Sequence, residues 1–191
     1  MNRAVFLDRD GVINAALYNP AEGKFDSPHR LEDFRLLPGA AQAIRQINSL
    51  KLLAVVVSNQ PGVAKGKCDF AFLETLDQRL HWELARQGAH LDAIYYCLHH
   101  PQAQVESLRL SCDCRKPQPG LLLRAARELD IDLTRSYMVG DSPADVAAGL
   151  AAGCRAILLN DADDPPVDGP QPHFVAVDLP AAVRIIVEGR R

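Results

Sequence analysis

The sequence predicts an α/β domain of three layers, with a parallel sheet between two layers of helices. Three observations point there. Short β-branched or wholly apolar runs alternate with longer helical patterns, as successive βα units require. Several of these runs are apolar at every position, as strands covered on both faces must be. Polar, often acidic, residues follow directly after the main runs, at the strand end where open parallel sheets bind their ligands.

In chain order, Ala4–Leu7 reads as a first buried strand and the β-branched run Leu53–Val57 as a central one. Ile94–Tyr96, Ser136–Val139 and Arg155–Leu159 are the next strands. Helical patterns cover Ala40–Leu50, Phe70–Gln87, Leu121–Leu129 and Ala144–Ala152, with Asp178–Arg191 as a closing helix. Pro38-Gly39 and Pro119-Gly120 precede two of these helices, where proline has no helical hydrogen bond to lose. Two segments break the rhythm, Asn14–Leu37 and Leu98–Pro117, and loops of that length are usually functional or internally stapled. Asp161–Pro172, rich in Asp and Pro, reads as a surface loop. The expected organisation is a single domain, 1–191, with a substrate loop at about 14–37, a metal loop at about 97–116 and no large second (cap) domain.

Composition narrows the class. The chain has 191 residues, 48% of them apolar, enough to enclose a core. Its net charge of −3 argues against a nucleic-acid partner, which would call for a basic face. No apolar run approaches the roughly 18–20 residues of a membrane span. The opening run Met1–Leu7 meets Asp8 too soon for a signal peptide, so a cytoplasmic location is expected. Five cysteines, an odd number, do not suggest a disulfide framework. No association motif is visible, and a monomer is expected.

The chemistry lies in the polar breaks. Asp8 and Asp10 flank one residue directly after the first strand, and Asp141 follows another strand. Three carboxylates converging on one edge need a cation, and Mg²⁺ fits because it takes oxygen ligands and leaves room for a phosphate oxygen. One carboxylate then serves as nucleophile toward a phosphoryl group, and the Asp two residues on as general acid. Gly11 permits the tight turn that follows. Ser58 and Lys116 are the hydroxyl and the fixed cation that a transferring phosphoryl group needs. Taken singly, Asp-x-Asp-Gly is an ordinary turn and Gly-Asp-Ser-Pro an ordinary helix cap. Their shared position after apolar strands makes the functional reading the stronger one.

The second long loop carries Cys97, His99, Cys112 and Cys114, two close ligand pairs that make a complete tetrahedral set for structural Zn²⁺. His100 competes with His99 for one place. Cys114 adjoins Arg115 and Lys116, so the ion would fix both cations. Cys68 and Cys154 are expected to be small buried side chains. Trp82 is read as core or partly buried surface, and Arg9 as structural, pointing away from its neighbouring carboxylates. Asp145 either supports Lys116 or caps a helix. Lys24, His29 and Arg30 are within reach of a second phosphate, although a solvated loop is the expected reading.

These residues resemble the haloacid dehalogenase (HAD) superfamily of phosphatases, a Rossmann-like fold. Phe6–Val12, Val57-Ser58-Asn59, Lys116-Pro117 and Gly140–Asp145 resemble its four motifs, in order. The resemblance implies Asp8 as nucleophile and Asp10 as general acid/base. It also implies Mg²⁺ on Asp8, the Asp10 backbone carbonyl and Asp141. Tyr95–Pro101, Cys112–Pro117 and Ser58–Lys67 further resemble the heptose-1,7-bisphosphate 7-phosphatases, over about Ala4 to Leu159. That closer likeness implies His99 as the zinc ligand and a small phosphorylated sugar as substrate, in the making of heptose precursors for surface polysaccharide. It gives Ser58, Asn59, Gln60, Arg115 and Lys116 as the substrate- and phosphate-binding set. Histidinol-phosphate phosphatases are the alternative; the long Pro101–Ser111 spacer favours the heptose reading. Segment 14–30 lacks the Gly-Tyr-Val found there in many heptose phosphatases.

Overall fold

A computed structural model describes residues 1–20, 23–160 and 169–189 of the chain. In order, the elements are β1 (Ala4–Leu7), β2 (Leu17–Asn19), β3 (Lys24–Asp26), α1 (Ala40–Ser49), β4 (Leu53–Asn59), α2 (Phe70–Ala85) and β5 (Ala93–Cys97). Then follow α3 (Gly120–Glu128), β6 (Tyr137–Gly140), α4 (Pro143–Ala152), β7 (Arg155–Leu159), β8 (Phe174–Ala176) and α5 (Leu179–Glu188). The main sheet runs β5-β4-β1-β6-β7-β8, and every pairing in it is parallel.

The strand period of two divides the core into two layers. Val5 and Leu7 of β1 join Val56 of β4 against Ile44 and Ile47 of α1, Leu76, Leu80 and Leu84 of α2, and Val183 and Ile186 of α5. Ala4 and Phe6 join Val55 and Val57 against Leu121, Leu122 and Ala125 of α3 and Ala148 and Ala152 of α4. Each fully buried aliphatic side chain of this kind contributes roughly 1.5–3 kcal/mol. The sheet is thus covered on both sides, as the apolar runs predicted. Among the described residues no helix is long and apolar enough to cross a membrane.

Three local features differ from the sequence reading. β4 continues to Asn59 because Ser58 and Asn59 pair with Tyr96 and Cys97 of β5, so these polar residues belong to the strand itself. The first long loop contains an antiparallel hairpin, β2–β3, closed with Gly23 at φ 63. Edge strand β8 is only three residues long and escapes any periodicity argument. The closing helix occupies Leu179–Glu188, capped by the Asp178 side chain, which accepts from the Ala181 amide. Most of the predicted surface loop, 161–168, and the end of the closing segment, 190–191, lie outside the described residues.

The chain leaves β1, builds β4 and β5 on one side, and returns to build β6, β7 and β8 on the other. The reversal lies at the carboxyl end of β1, between β4 and β6. That is the crevice where such sheets bind ligands.

Candidate active site

The turn after β1 is held on both sides. The Asp8 amide donates to Val139 O of β6 (3.0 Å), and the Ile13 amide donates back to Arg9 O (2.8 Å). Gly11 adopts φ 81, and a Cβ there would lie 1.8 Å from Asp141 Oδ2. Both the backbone conformation and the close approach of the Asp141 carboxylate therefore require glycine.

Lys116 reaches the same point from the second long loop. Its Nζ lies 2.9 Å from Asp8 Oδ2 and 2.5 Å from Asp145 Oδ1, and its side chain is buried. Asn59 fixes the lysine backbone: its amide nitrogen donates to Lys116 O and its amide oxygen accepts from Lys116 N, both at 3.0 Å. The two roles weighed for Asp145 coexist. One carboxylate oxygen takes the lysine; the other accepts from the Ser142 amide and hydroxyl, forming the capping box of α4. Burial alone would lower the Lys116 ammonium, but Asp145 and Asp8 outweigh it and hold it above its ordinary range.

Asp8, Asp141 and Asp145 each offer an oxygen within 4.8 Å of the others. Burial, and after it the Asp145 charge, pushes Asp8 up to about 6, although Lys116 partly opposes this. Burial, with Asp8 and Asp145 nearby, pushes Asp141 up to about 7. Carboxylates that resist ionisation in each other's company suit a divalent cation. Both Asp145 oxygens are engaged, by Lys116 and by Ser142, and Asp8 also contacts Lys116 and the Arg9 amide.

Asp10 has a separate set of partners. Its carboxylate accepts from Asn14 Nδ2 (2.8 Å), Gln60 Nε2 (2.6 Å), Ser27 Oγ (2.7 Å) and the Arg9 guanidinium (3.1 Å). Burial would raise it, but Arg9 and these donors outweigh burial and lower it. Arg9 thus departs from expectation: it does not turn away from the carboxylates but is wholly buried against one of them. A guanidinium of zero exposure needs a carboxylate partner, and Asp10 is the nearest.

The site opens into a cavity of about 320 Å³. Asp8, Asp10, Ser58, Asn59, Arg115, Lys116 and Asp141 all line it. Gln60 stands behind the wall, buried among Arg9, Asp10, Ser27 and Ser58. Lys65, Phe25 and Asp26 of the hairpin, and Ser27 just after it, also line the cavity; sequence reasoning had not singled them out. The hairpin is therefore a rim of the site. His29 pairs with Asp26 (3.4 Å) and Arg30 with Glu32, both within the loop. The Lys24 side chain lies outside what the structure describes.

Cys97, His99, Cys112 and Cys114 meet as one cluster. The sulfur–sulfur separations are 3.5, 3.3 and 3.1 Å, and His99 Nδ1 lies 3.3 Å from Cys114 Sγ. These are too long for a disulfide and near the roughly 3.7 Å edge of a tetrahedron around Zn²⁺. His100 instead accepts from the Gln102 amide. Arg115 Nη1 donates to His99 O (3.3 Å), tying the cluster to the cavity wall. Cys154 is buried as expected, whereas Cys68 is half-buried. Trp82 is half-exposed, flanked by Arg79 and Arg86 at 5.1 and 4.6 Å.

Comparison with known proteins agrees with this geometry. The HAD-hydrolase-like family matches residues 113–182. The D-glycero-beta-D-manno-heptose-1,7-bisphosphate 7-phosphatase of Escherichia coli K12 is 45% identical over 156 residues, 82% of this chain and 78% of that protein. The chain belongs to this phosphatase family, within the HAD hydrolases. The Haemophilus influenzae member is 40% identical over 83% of the chain and 82% of its own length. The crystal structure of the D,D-heptose 1,7-bisphosphate phosphatase from B. bronchiseptica, complexed with magnesium and phosphate, superposes with TM-score 0.81 at 31% identity. It covers 98% of this chain and 99% of that one. As a HAD phosphatase, the protein is a phosphoric monoester hydrolase, and HAD phosphatases use Mg²⁺.

Proposed function

We propose that this phosphatase removes the 7-phosphate of D-glycero-D-manno-heptose 1,7-bisphosphate, through an aspartyl-phosphate on Asp8. The observation that carries the mechanism is the contact of Asp8 with buried Lys116, 2.9 Å, on a cavity wall shared with Asp10, Ser58 and Asp141. The named activity of the close relatives carries the substrate.

In the first step an Asp8 carboxylate oxygen attacks phosphorus, and the bond from phosphorus to the sugar oxygen breaks. Asp10, ionised in the free site by Arg9 and its other donors, takes up a proton beside the negatively charged phosphate; the leaving oxygen takes the electron pair and that proton and departs as an alcohol. In the second step water attacks the same phosphorus while Asp10 takes its proton. The Asp8–phosphoryl bond then breaks, phosphate departs and the Asp8 carboxylate is restored. Lys116 and Ser58 hold the phosphoryl oxygens, and Arg115 and Asn59 shape the wall beside them. Asp8, the Asp10 backbone carbonyl and Asp141 would hold Mg²⁺, which offsets charge on the phosphoryl oxygens when bound. Cys97, His99, Cys112 and Cys114 would hold a structural Zn²⁺. The whole chain acts as one domain in the cytoplasm, as a monomer, without nucleic-acid or membrane partners.

Phosphorus NMR with Mg²⁺, both anomers of the heptose bisphosphate and, in parallel, histidinol phosphate tests this reading. The expected result is loss of the 7-phosphate with the 1-phosphate retained. Brisk release from histidinol phosphate with no heptose turnover would reassign the substrate.

A further inference from the structure

A chain of partly buried polar groups, with wholly buried Arg9 at its centre, runs from helix α2 to the proposed proton donor. Asp77 of α2 accepts from the Tyr96 hydroxyl of β5 (2.5 Å). That hydroxyl in turn accepts from Arg9 Nη1 (3.1 Å). Arg9 Nη2 then reaches both Asp10 Oδ2 (3.1 Å) and Gln60 Oε1 (2.8 Å), and its Nε approaches Asp10 Oδ1 (3.4 Å). Every nitrogen of the guanidinium is engaged, and its planar fork fixes the angle between the tyrosine and the carboxylate. Asp10 itself sits on a turn that has already left the sheet, and its side-chain partners from that turn are Arg9 and Asn14. Its other partners are Gln60, just after β4, and Ser27, just after the hairpin, and Arg9 links it onward to Tyr96 of β5 and Asp77 of α2.

We propose that Tyr96, anchored by Asp77, is a positioning residue: through Arg9 it sets where the Asp10 carboxyl stands relative to the leaving oxygen. The inference rests on the reading of Asp10 as proton donor and extends it to residues outside the cavity wall. A purely packing role for Tyr96 would affect all substrates alike. A positioning role affects only those whose leaving oxygen needs a proton. Alkyl phosphates do; p-nitrophenyl phosphate, which releases a stable phenolate, does not.

The test is kcat/KM for Tyr96→Phe on the wild-type enzyme's best alkyl phosphate and on p-nitrophenyl phosphate, with Asp10→Asn measured alongside. This ratio covers only steps up to release of the leaving group, so the later attack of water does not blur it. Tyr96→Phe is expected to lose about tenfold or more on the alkyl substrate. On the aryl substrate it is expected to stay within about twofold of wild type, because no proton transfer is lost there. Equal losses on both substrates, or none on either, would overturn the proposal. Should Tyr96→Phe not fold, Arg9→Lys gives the same readout, since one ammonium cannot replace the fork. If Asp10→Asn itself fails to separate the two substrates, the reading of Asp10 is at fault. If Asp10→Asn separates them and Tyr96→Phe does not, only the positioning role is lost.

Discussion

Asp8→Asn is expected to lower kcat by at least about ten-thousand-fold, because the amide cannot accept a phosphoryl group and return it to water. No other described carboxylate can take its place. Asp141 approaches the turn at Gly11, Asp145 is bound to Lys116 and Ser142, and Asp10 is held by four partners of its own. The fold should survive, since Asn and Asp have nearly the same shape and the β1 turn is fixed by backbone bonds at Asp8 and Ile13. Steady-state rates on the heptose bisphosphate, with thermal melting and metal content as controls, check the prediction. Full activity in the variant would remove Asp8 as the nucleophile.

The second large effect concerns the metal loop. Among the described residues from Leu98 to Arg115, Ala103 is the one buried apolar side chain, so packing contributes little to the loop's shape. Its ends are joined at the Cys97, His99, Cys112, Cys114 cluster, immediately before Arg115 and Lys116. Stripping the Zn²⁺ proposed for this cluster, or replacing Cys114 by Ala, should free Arg115 from the cavity wall and loosen Lys116, whose backbone Asn59 still holds. It should lower kcat/KM about hundredfold, the scale of a reacting group misplaced by an ångström. The sheet and helices lie outside the loop and should keep their circular dichroism. Activity should return with Zn²⁺ and not with added Mg²⁺. A zinc-free protein of undiminished activity would show that other contacts set the loop.

How much of this was legible in the sequence follows from what each feature depends on. The strands at Ala4–Leu7 and Arg155–Leu159 could be read because burial on both faces leaves continuous apolar runs, Ala4–Leu7 and Ala156–Leu159. The hairpin β2–β3 could not, because Tyr18 and Phe25 pack edge-on against each other while both remain exposed, and no apolar alternation marks the strands. Its turn signal, Asn19-Pro20 and Gly23, was present without an apolar face to support it. The acidic motifs and the cysteine–histidine pairs were visible because their spacing is local. The orientation of Arg9 was not, because it is decided by Tyr96, 87 residues away in sequence, and by Gln60, 51 residues away. The clamp of Asn59 on the Lys116 backbone depends likewise on a partner 57 residues distant, which no local pattern reveals.

The central claim is that the phosphoryl group passes through the protein before it reaches water. The most direct test is stereochemical: hydrolysis of a substrate bearing an isotopically chiral thiophosphoryl group, in isotopically labelled water, with the configuration of the released thiophosphate read by phosphorus NMR. Two successive in-line displacements, first by Asp8 and then by water, predict overall retention. Inversion would mean that water attacks the substrate directly, and would contradict the aspartyl-phosphate.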